Sequence, residues 1–114
     1  MTASEASPIL IVLTAMGDVD GARALIRTLV DARLVACGTV VPGATSLYRW
    51  EGEVVQEAEV LVILKTRAER WEALRAALVA AHPYDVPELL AVPVSAGHEP
   101  YLAWVARETE ENAA

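Results

Sequence analysis

The chain has 114 residues, of which 54% are hydrophobic and 22% are charged. This composition provides one domain with a buried core and excludes a largely disordered protein. The formal net charge of −7 argues against nucleic-acid binding, because that function normally needs a basic face. An acidic surface is compatible with cation binding, although solubility is the simpler explanation.

The sequence predicts a cytoplasmic protein that forms a single domain over residues 1–114. A lone cysteine, Cys37, excludes an internal disulfide or a zinc knuckle and is typical of a reducing compartment. The start, MTASEASP, lacks the basic region and apolar run of a signal peptide. No apolar run approaches the roughly twenty residues of a membrane helix, so no membrane partner is expected. Residues 1–7 and 110–114 are predicted to be flexible tails.

The first half of the chain predicts a strand, a helix and a long hairpin. Residues 8–14 (PILIVLT) are typical of a buried strand, and Asp18 or Asp20 can cap the helix that follows. Strand character returns over residues 34–50, with a bend or bulge at the Pro-Gly pair. Gly52 then predicts a hairpin turn with positive φ before a return strand that ends at Lys65.

The second half predicts helix, strand and helix, at residues 68–81, 88–94 and 101–108. Thr66 and Glu69 have the spacing of a capping box at the start of the first of these helices. His82 and Pro83 end that helix, because the residue before a proline avoids the α region. Pro93 inside the strand indicates an edge position or a bulge.

The resulting order is β-α-β-β-α-β followed by a helix, which predicts an α+β, ferredoxin-like fold with an additional C-terminal helix. In such a fold, helices cover one face of the sheet, so the strands should alternate between apolar and polar residues. Residues 60–64 (VLVIL) and 9–13 (ILIVL) are instead apolar on both faces. Leaving that second face in water would forfeit much hydrophobic stabilisation, so we expect another copy of the chain to cover it.

Four side chains are candidates for that interface. Tyr48 and Trp50 lie on the same side of a hairpin that is too long for its sheet, and we expect them to reach the neighbouring copy. The alternative is that they pack on the core of their own subunit. Glu59 and Lys65 share one strand face, and each could pair across a subunit boundary. The alternative is that both are ordinary charges at the edge of the core.

Catalytic templates are absent, since the sequence contains no phosphate loop, GxSxG, HExxH or CxxC pattern. We therefore predict no catalytic residue and a non-enzymatic protein. Cys37 lies in an apolar strand, where a buried structural thiol is the favoured interpretation. An enzymatic alternative would use His82 as a base and Lys65 as an electrostatic stabiliser.

The segment HPYDVPE is the densest group of polar side chains with metal-binding chemistry. Its two prolines stiffen a loop that carries His82, Tyr84, Asp85 and Glu88. An imidazole nitrogen and carboxylate oxygens in this arrangement can preset a site for a divalent cation. The alternative is that His82 caps the preceding helix, where the helix dipole favours it.

Four stretches, PGATSLYRWEG, ILKTRAE, HPYDVPELLAVPV and YLAWV, occur in order, and with them the chain resembles the CutA family of divalent-cation tolerance proteins. The resemblance implies a ferredoxin-like subunit in a homotrimer similar to the PII signalling proteins. It also implies a cytoplasmic location and a link to tolerance of copper and other divalent metals. Ligands of such trimers are expected in clefts between subunits.

The resemblance carries the following residues into such a cleft: Tyr48, Trp50, Glu59, Lys65, Tyr84 and Glu88. His82 and Glu88 are the candidate ligands of a copper or zinc ion. Some relatives have a cysteine where this chain has Leu13 and a second histidine where it has Ala81, so a copper site would lose two ligands here. The alternative function is a trimeric scaffold or signalling protein that anchors a protein partner and binds no metal.

Overall fold

The computed structural model describes residues 8–111, which form a four-stranded antiparallel sheet with strand order β2-β3-β1-β4. The elements are β1 (Ile9–Met16), α1 (Val19–Asp31), β2 (Cys37–Trp50), β3 (Glu53–Arg67), α2 (Trp71–Ala81), β4 (Leu90–Pro93) and α3 (Glu99–Glu108). This topology confirms the predicted α+β, ferredoxin-like fold with an additional C-terminal helix. The predicted tails fall outside the described residues, apart from positions 110 and 111.

The core lies between the sheet and helices α1 and α2. The side chains of β3 alternate, because Val62 and Leu64 are fully buried while Leu61 and Ile63 are only half-buried. On the buried side, Val12 of β1 pairs with Leu64 and packs in the same cluster as residues from both helices. The period of two that places these side chains under the helices therefore also sends Leu61 and Ile63 to the opposite face.

The second face of the sheet is apolar, and within residues 8–111 α3 covers only one end of it. We call this surface the open face; it comprises Ile11, Leu13, Val41, Leu61, Ile63, Leu90 and Val92. Leu90 is 55% exposed and Val92 is 47% exposed. α3 is held at the far end, where Val105 is fully buried and packs with Ile9 and Ala36.

Strands β2 and β3 continue beyond the sheet as a hairpin arm, residues 44–59, in a subunit 51 Å long. Register shifts between Val41 and Ala44, which confirms the predicted bulge at the Pro-Gly pair. The arm turns at Glu51 and Gly52, whose φ angles are 50° and 84°. Two successive positive φ angles match the twist of a tight antiparallel hairpin.

The two predicted helix starts have different outcomes. The Asp18 carboxylate accepts a 2.8 Å hydrogen bond from the Gly21 N–H, which confirms the predicted cap of α1. The predicted capping box of Thr66 is wrong, because Thr66 is a fully buried residue of β3 and its hydroxyl donates to the Leu34 carbonyl at 2.7 Å. The chain instead makes a 3₁₀ turn at Ala68–Arg70 before α2.

The end of α2 at Ala81 agrees with the proline that follows His82. The last strand is shorter than the predicted residues 88–94, because its ladder with β1 runs only from Leu90 to Pro93. Pro93 lies on an edge strand, as predicted. Between residues 8 and 111, every helix is too short or too polar to cross a bilayer.

Candidate functional site

Two tyrosines and two glutamates lie close together on one face of the arm and the loop beside it. This tyrosine–glutamate cluster comprises Tyr48 of β2, Glu57 and Glu59 of β3, and Tyr84 of the loop after α2. Glu57 and Glu59 are two residues apart on one strand, and therefore share a face with Tyr48 on the neighbouring strand. The Tyr84 hydroxyl lies beside Gly17. A Cβ added to Gly17 would be 3.6 Å from the hydroxyl oxygen.

The phenols of this cluster are held in the neutral form. Partial burial raises the pKa of Tyr48 above its ordinary value, and the nearby carboxylates of Glu57 and Glu59 raise it further. Burial also raises the pKa of Tyr84, with Glu59 and then Glu57 adding to the effect. The cluster therefore offers carboxylate oxygens and neutral hydroxyl groups on a surface that favours cations.

His82 fixes the loop that carries Tyr84. Its side chain is buried, and Nε2 lies 2.8 Å from the carbonyl oxygen of Ala15. Nδ1 accepts a hydrogen bond from the Tyr84 N–H at 3.1 Å, so Nε2 carries the proton and donates to Ala15. The two aromatic rings lie 4.8 Å apart. His82 is thus a positioning residue for Tyr84 within one subunit.

These hydrogen bonds concern the two predicted roles of His82, a metal ligand and a cap of α2. Its imidazole bonds to the end of β1 and to its own loop, and it is the backbone N–H that bonds to α2, through the Leu78 carbonyl. Because both ring nitrogens are engaged, a metal ion could bind His82 only after one of these bonds breaks. Ligation by His82 therefore has to compete with the contacts that hold the loop.

Lys65 belongs to a second group at the opposite end of the sheet. Its ammonium lies 5.9 Å from the ring centroid of Tyr101, within the range of a cation–π contact. Cys37 is the cross-strand neighbour of Lys65, and its Sγ lies 3.7 Å from the Tyr101 hydroxyl. Burial and Cys37 raise the pKa of Tyr101, and the positive charge of Lys65 opposes that shift.

The structure therefore separates the predicted cleft residues. Glu59 and Lys65 are six positions apart on one strand, which corresponds to roughly 20 Å. Trp50 is 62% exposed at the end of the arm, and Glu88 is exposed in the segment before β4. Within one subunit only Tyr48, Glu59 and Tyr84 of the predicted set lie together.

Metal ligation within one subunit is not favoured by this arrangement. Among residues 8–111, no group of three or more His, Cys, Asp or Glu side chains is placed to hold a metal ion. Cys37 is half-buried rather than fully buried as expected, because it is the first residue of an edge strand and contacts Tyr101. A metal site of ordinary ligand number would need side chains from another copy.

The sequence interpretation missed one residue of these groups, Glu57, and did not predict the position of another, Tyr101. Glu57 lies in a stretch of mixed polarity, but its spacing of two from Glu59 on a strand places both carboxylates on one face. Tyr101 lies on the last helix, and no local pattern indicates that this helix packs beside Lys65. The first could be inferred from strand periodicity, whereas the second required the tertiary structure.

The fold and these groups define a class: a ferredoxin-like α+β subunit with a long arm and an uncovered apolar face. Within that class, a profile of the family described as "CutA1 divalent ion tolerance protein" matches residues 10–108. The chain belongs to this family.

Individual relatives agree with the family assignment. The chain is 41% identical over 99 residues to the divalent-cation tolerance protein CutA of Thermus thermophilus, covering 87% of this chain and 96% of the relative. It is 45% identical over 95 residues to the Escherichia coli protein of the same name, covering 83% and 85%. The crystal structure of CutA from Xylella fastidiosa superposes with a TM-score of 0.88 at 38% identity, covering 91% and 100%.

Proposed function

We propose that this protein acts in divalent-cation tolerance as a non-enzymatic, cytoplasmic homotrimer that resembles PII proteins. Its ligand is a divalent cation such as copper or zinc, or a small molecule, bound in clefts between subunits. The observation that carries the proposal is the open face, whose apolar side chains have no cover within residues 8–111 beyond the end under α3. A surface of this kind marks an association site.

The arm adds a second argument for assembly. Tyr48 and Trp50 lie on one face of the arm, while Leu47 and Val54 lie on the other and are each 64% exposed. A two-stranded ribbon with apolar side chains on both faces is unstable in water by itself. Insertion between neighbouring subunits would bury both faces at once.

The assembly would also complete the cleft. In a closed ring, each subunit presents a different surface to each of its two neighbours, so one end of a subunit meets another part of the next. We propose that the Lys65–Tyr101–Cys37 group of one subunit faces the tyrosine–glutamate cluster of its neighbour. The Glu57 and Glu59 carboxylates would then meet the cation, with Glu88 nearby and His82 holding Tyr84 in place.

Native mass spectrometry of the wild type and two matched variants tests the assembly. Val92 on the open face is 47% exposed and Val79 on the outer side of α2 is 42% exposed. Val92→Glu should reduce the trimer to monomers, because it places a charge in the interface, whereas Val79→Glu should remain trimeric. A monomeric wild type, or equal behaviour of the two variants, would exclude the proposal.

Calorimetric titration of the trimer with Cu²⁺, Zn²⁺ and Mn²⁺ tests the ligand. Glu59→Gln should weaken cation binding, because it removes a charge from the cluster while keeping the shape of the side chain. Asp20→Asn, at an exposed position on α1, is the matched control and should bind as the wild type does. A trimer that binds none of these ions but retains one protein partner at fixed stoichiometry would support the scaffold alternative.

A further inference from the structure

A cavity of about 390 Å³ lies between the C-terminal end of α1 and helix α3, apart from the tyrosine–glutamate cluster. Its size falls within the roughly 300–1,000 Å³ of small-molecule pockets. Val30, Val35 and Trp104 supply apolar lining, while Asp31, Arg33 and Glu108 supply charge. The lining therefore combines apolar surface with convergent charged groups, and both occur in ligand sites.

The backbone beside this cavity adopts a conformation that its sequence disfavours. Helix α1 ends with hydrogen bonds from the Arg33 N–H to the Val30 carbonyl and from the Leu34 N–H to the Leu29 carbonyl, each 3.0 Å long. This closing pattern normally has glycine at the position with positive φ, but here Arg33 has φ 58°. Backbone strain of this kind clusters at functional sites.

Arg33 uses this conformation to reach α3. Its Nη1 donates to the Glu108 carbonyl at 3.3 Å and lies 3.7 Å from the Glu108 carboxylate. The Arg33 carbonyl in turn accepts a 3.3 Å hydrogen bond from Nε of Arg70. The guanidinium of Arg33 therefore spans one side of the cavity and ties α1 to α3.

The electrostatics of the cavity favour a cation. Helices α1 and α3 both end there, and the carbonyl end of a helix attracts positive charge. α1 has no basic residue in its last turn and ends at Asp31, the opposite of what its dipole favours. The lining contains two carboxylates, Asp31 and Glu108, and one cation, Arg33. Arg33 already lies 3.7 Å from the Glu108 carboxylate, whereas no ion pair among residues 8–111 involves Asp31. The indole of Trp104 adds an aromatic surface that also attracts cations.

We propose that this cavity binds a small organic cation, an amine with an apolar body. The ammonium group would lie beside the Asp31 carboxylate, and the apolar body would pack on Trp104 and Val30, which is 37% exposed. Binding would relieve the unfavourable placement of Asp31 at the end of α1. This site is independent of the function proposed above, because it shares no lining residue with the open face, the arm or the tyrosine–glutamate cluster.

NMR titration of the full-length protein with three probes of similar shape tests the proposal. Benzylamine is cationic, benzyl alcohol is neutral and benzoate is anionic. The indole N–H signal of Trp104, assigned with Trp104→Phe, should shift saturably with benzylamine, less with benzyl alcohol and not with benzoate. Absence of saturable binding of benzylamine, or binding of benzoate at least as tight, would overturn the proposal.

A pair of charge-neutralising variants identifies the site. Asp31→Asn should weaken benzylamine binding by about fivefold, which is the upper range for an ion pair at an exposed site. Asp20→Asn, on the exposed first turn of α1, should leave binding unchanged. Equal affinity in wild type and Asp31→Asn would place the ammonium elsewhere and refute the site.

Discussion

Two buried threonines differ in whether their hydroxyl group makes a hydrogen bond. Thr14 and Thr66 are both fully buried in neighbouring central strands. The Thr66 hydroxyl donates to the Leu34 carbonyl, whereas the Thr14 hydroxyl has no partner among residues 8–111. A buried hydroxyl without a hydrogen bond is destabilising, while a satisfied one is costly to remove.

Replacing each threonine by valine should therefore have opposite effects. We expect Thr14→Val to increase the free energy of unfolding by about 1 kcal/mol, because it removes an unsatisfied polar group of nearly the same shape. Thr66→Val should lower it by roughly 1–3 kcal/mol, because it leaves the Leu34 carbonyl unpaired. Urea denaturation at one protein concentration measures both. A destabilised Thr14→Val would show that its hydroxyl has a partner.

Tyr84 makes stability depend on pH in the alkaline range. Its folded-state pKa is raised above the ordinary value of 10.0, first by burial and then by Glu59 and Glu57. Below the ordinary pKa of 10.0, the phenol is neutral in both the folded and the unfolded state, and its contribution to stability is fully present. As the pH rises above the ordinary value, the unfolded state releases its proton before the folded state does. Stability is therefore lost until the pH has risen through the folded-state pKa.

Urea denaturation at pH 9 and pH 11 tests this dependence. Wild type should lose more stability between the two values than Tyr84→Phe, which has no proton to release at this position. The comparison cancels the titration of Lys65, the single lysine of the chain, because both proteins contain it. An equal loss in the two proteins would mean that Tyr84 has the same pKa in the folded and unfolded states.

At the scale of elements, the close approach of β2 to α1 depends on a glycine. Gly38 faces the helix side of the sheet opposite Leu64. A Cβ at this position would lie 2.7 Å from Cγ2 of Ile26 and 2.9 Å from Cδ2 of Leu64. The helix can pack on the second strand at this distance only because the side chain is missing.

Gly38→Ala should therefore destabilise the protein by roughly 1–3 kcal/mol, the usual cost of overpacking a core. Gly17→Ala provides a matched control, because its Cβ would make an ordinary 3.6 Å contact with the Tyr84 hydroxyl. Thermal unfolding at a fixed concentration compares the two variants. Equal melting temperatures for wild type and Gly38→Ala would show that α1 shifts without cost.

At the scale of the whole molecule, the arm and the open face share one property. Both expose apolar side chains that a single subunit leaves in contact with water. Burial of such surfaces between subunits would contribute roughly 25 cal/mol per Å², which would offset the entropy cost of assembly. The fold of the subunit and its oligomeric state are therefore expected to be coupled.

Leu47→Ser combined with Val54→Ser should weaken assembly without unfolding the sheet, because both side chains lie on the arm. We expect dissociation on dilution to begin at a concentration at least tenfold higher than in wild type, as measured by sedimentation velocity. Val79→Ser is the control, since Val79 is 42% exposed on the outer side of α2. If the double variant dissociates as wild type does, the arm takes no part in the interface.

Much of the fold follows from local patterns. Asp18 caps α1, the bulge interrupts β2, and Gly52 turns the hairpin as predicted, because each depends on the conformational preference of a few adjacent residues. Thr66 resembled a helix cap for equally local reasons. Its assignment was wrong because pairing with Leu10 in the sheet and bonding to Leu34 outweighed the capping preference.

The candidate site was less predictable, because its members are distant in sequence. Tyr48, Glu59 and Tyr84 come from two strands and a loop, and their meeting depends on strand register and on the hydrogen bonds of His82. The sequence indicated His82 as a ligand or a helix cap. Only the structure revealed that both of its nitrogens hold the loop.

By itself, the sequence determined the order of the elements and the presence of a second apolar face, because periodicity and turn preferences act over a few residues. The tertiary structure alone decided that Lys65 lies with Tyr101, and that residues of α1 and α3 line a charged cavity. These contacts join segments far apart in the chain, and packing of the complete core sets their distances.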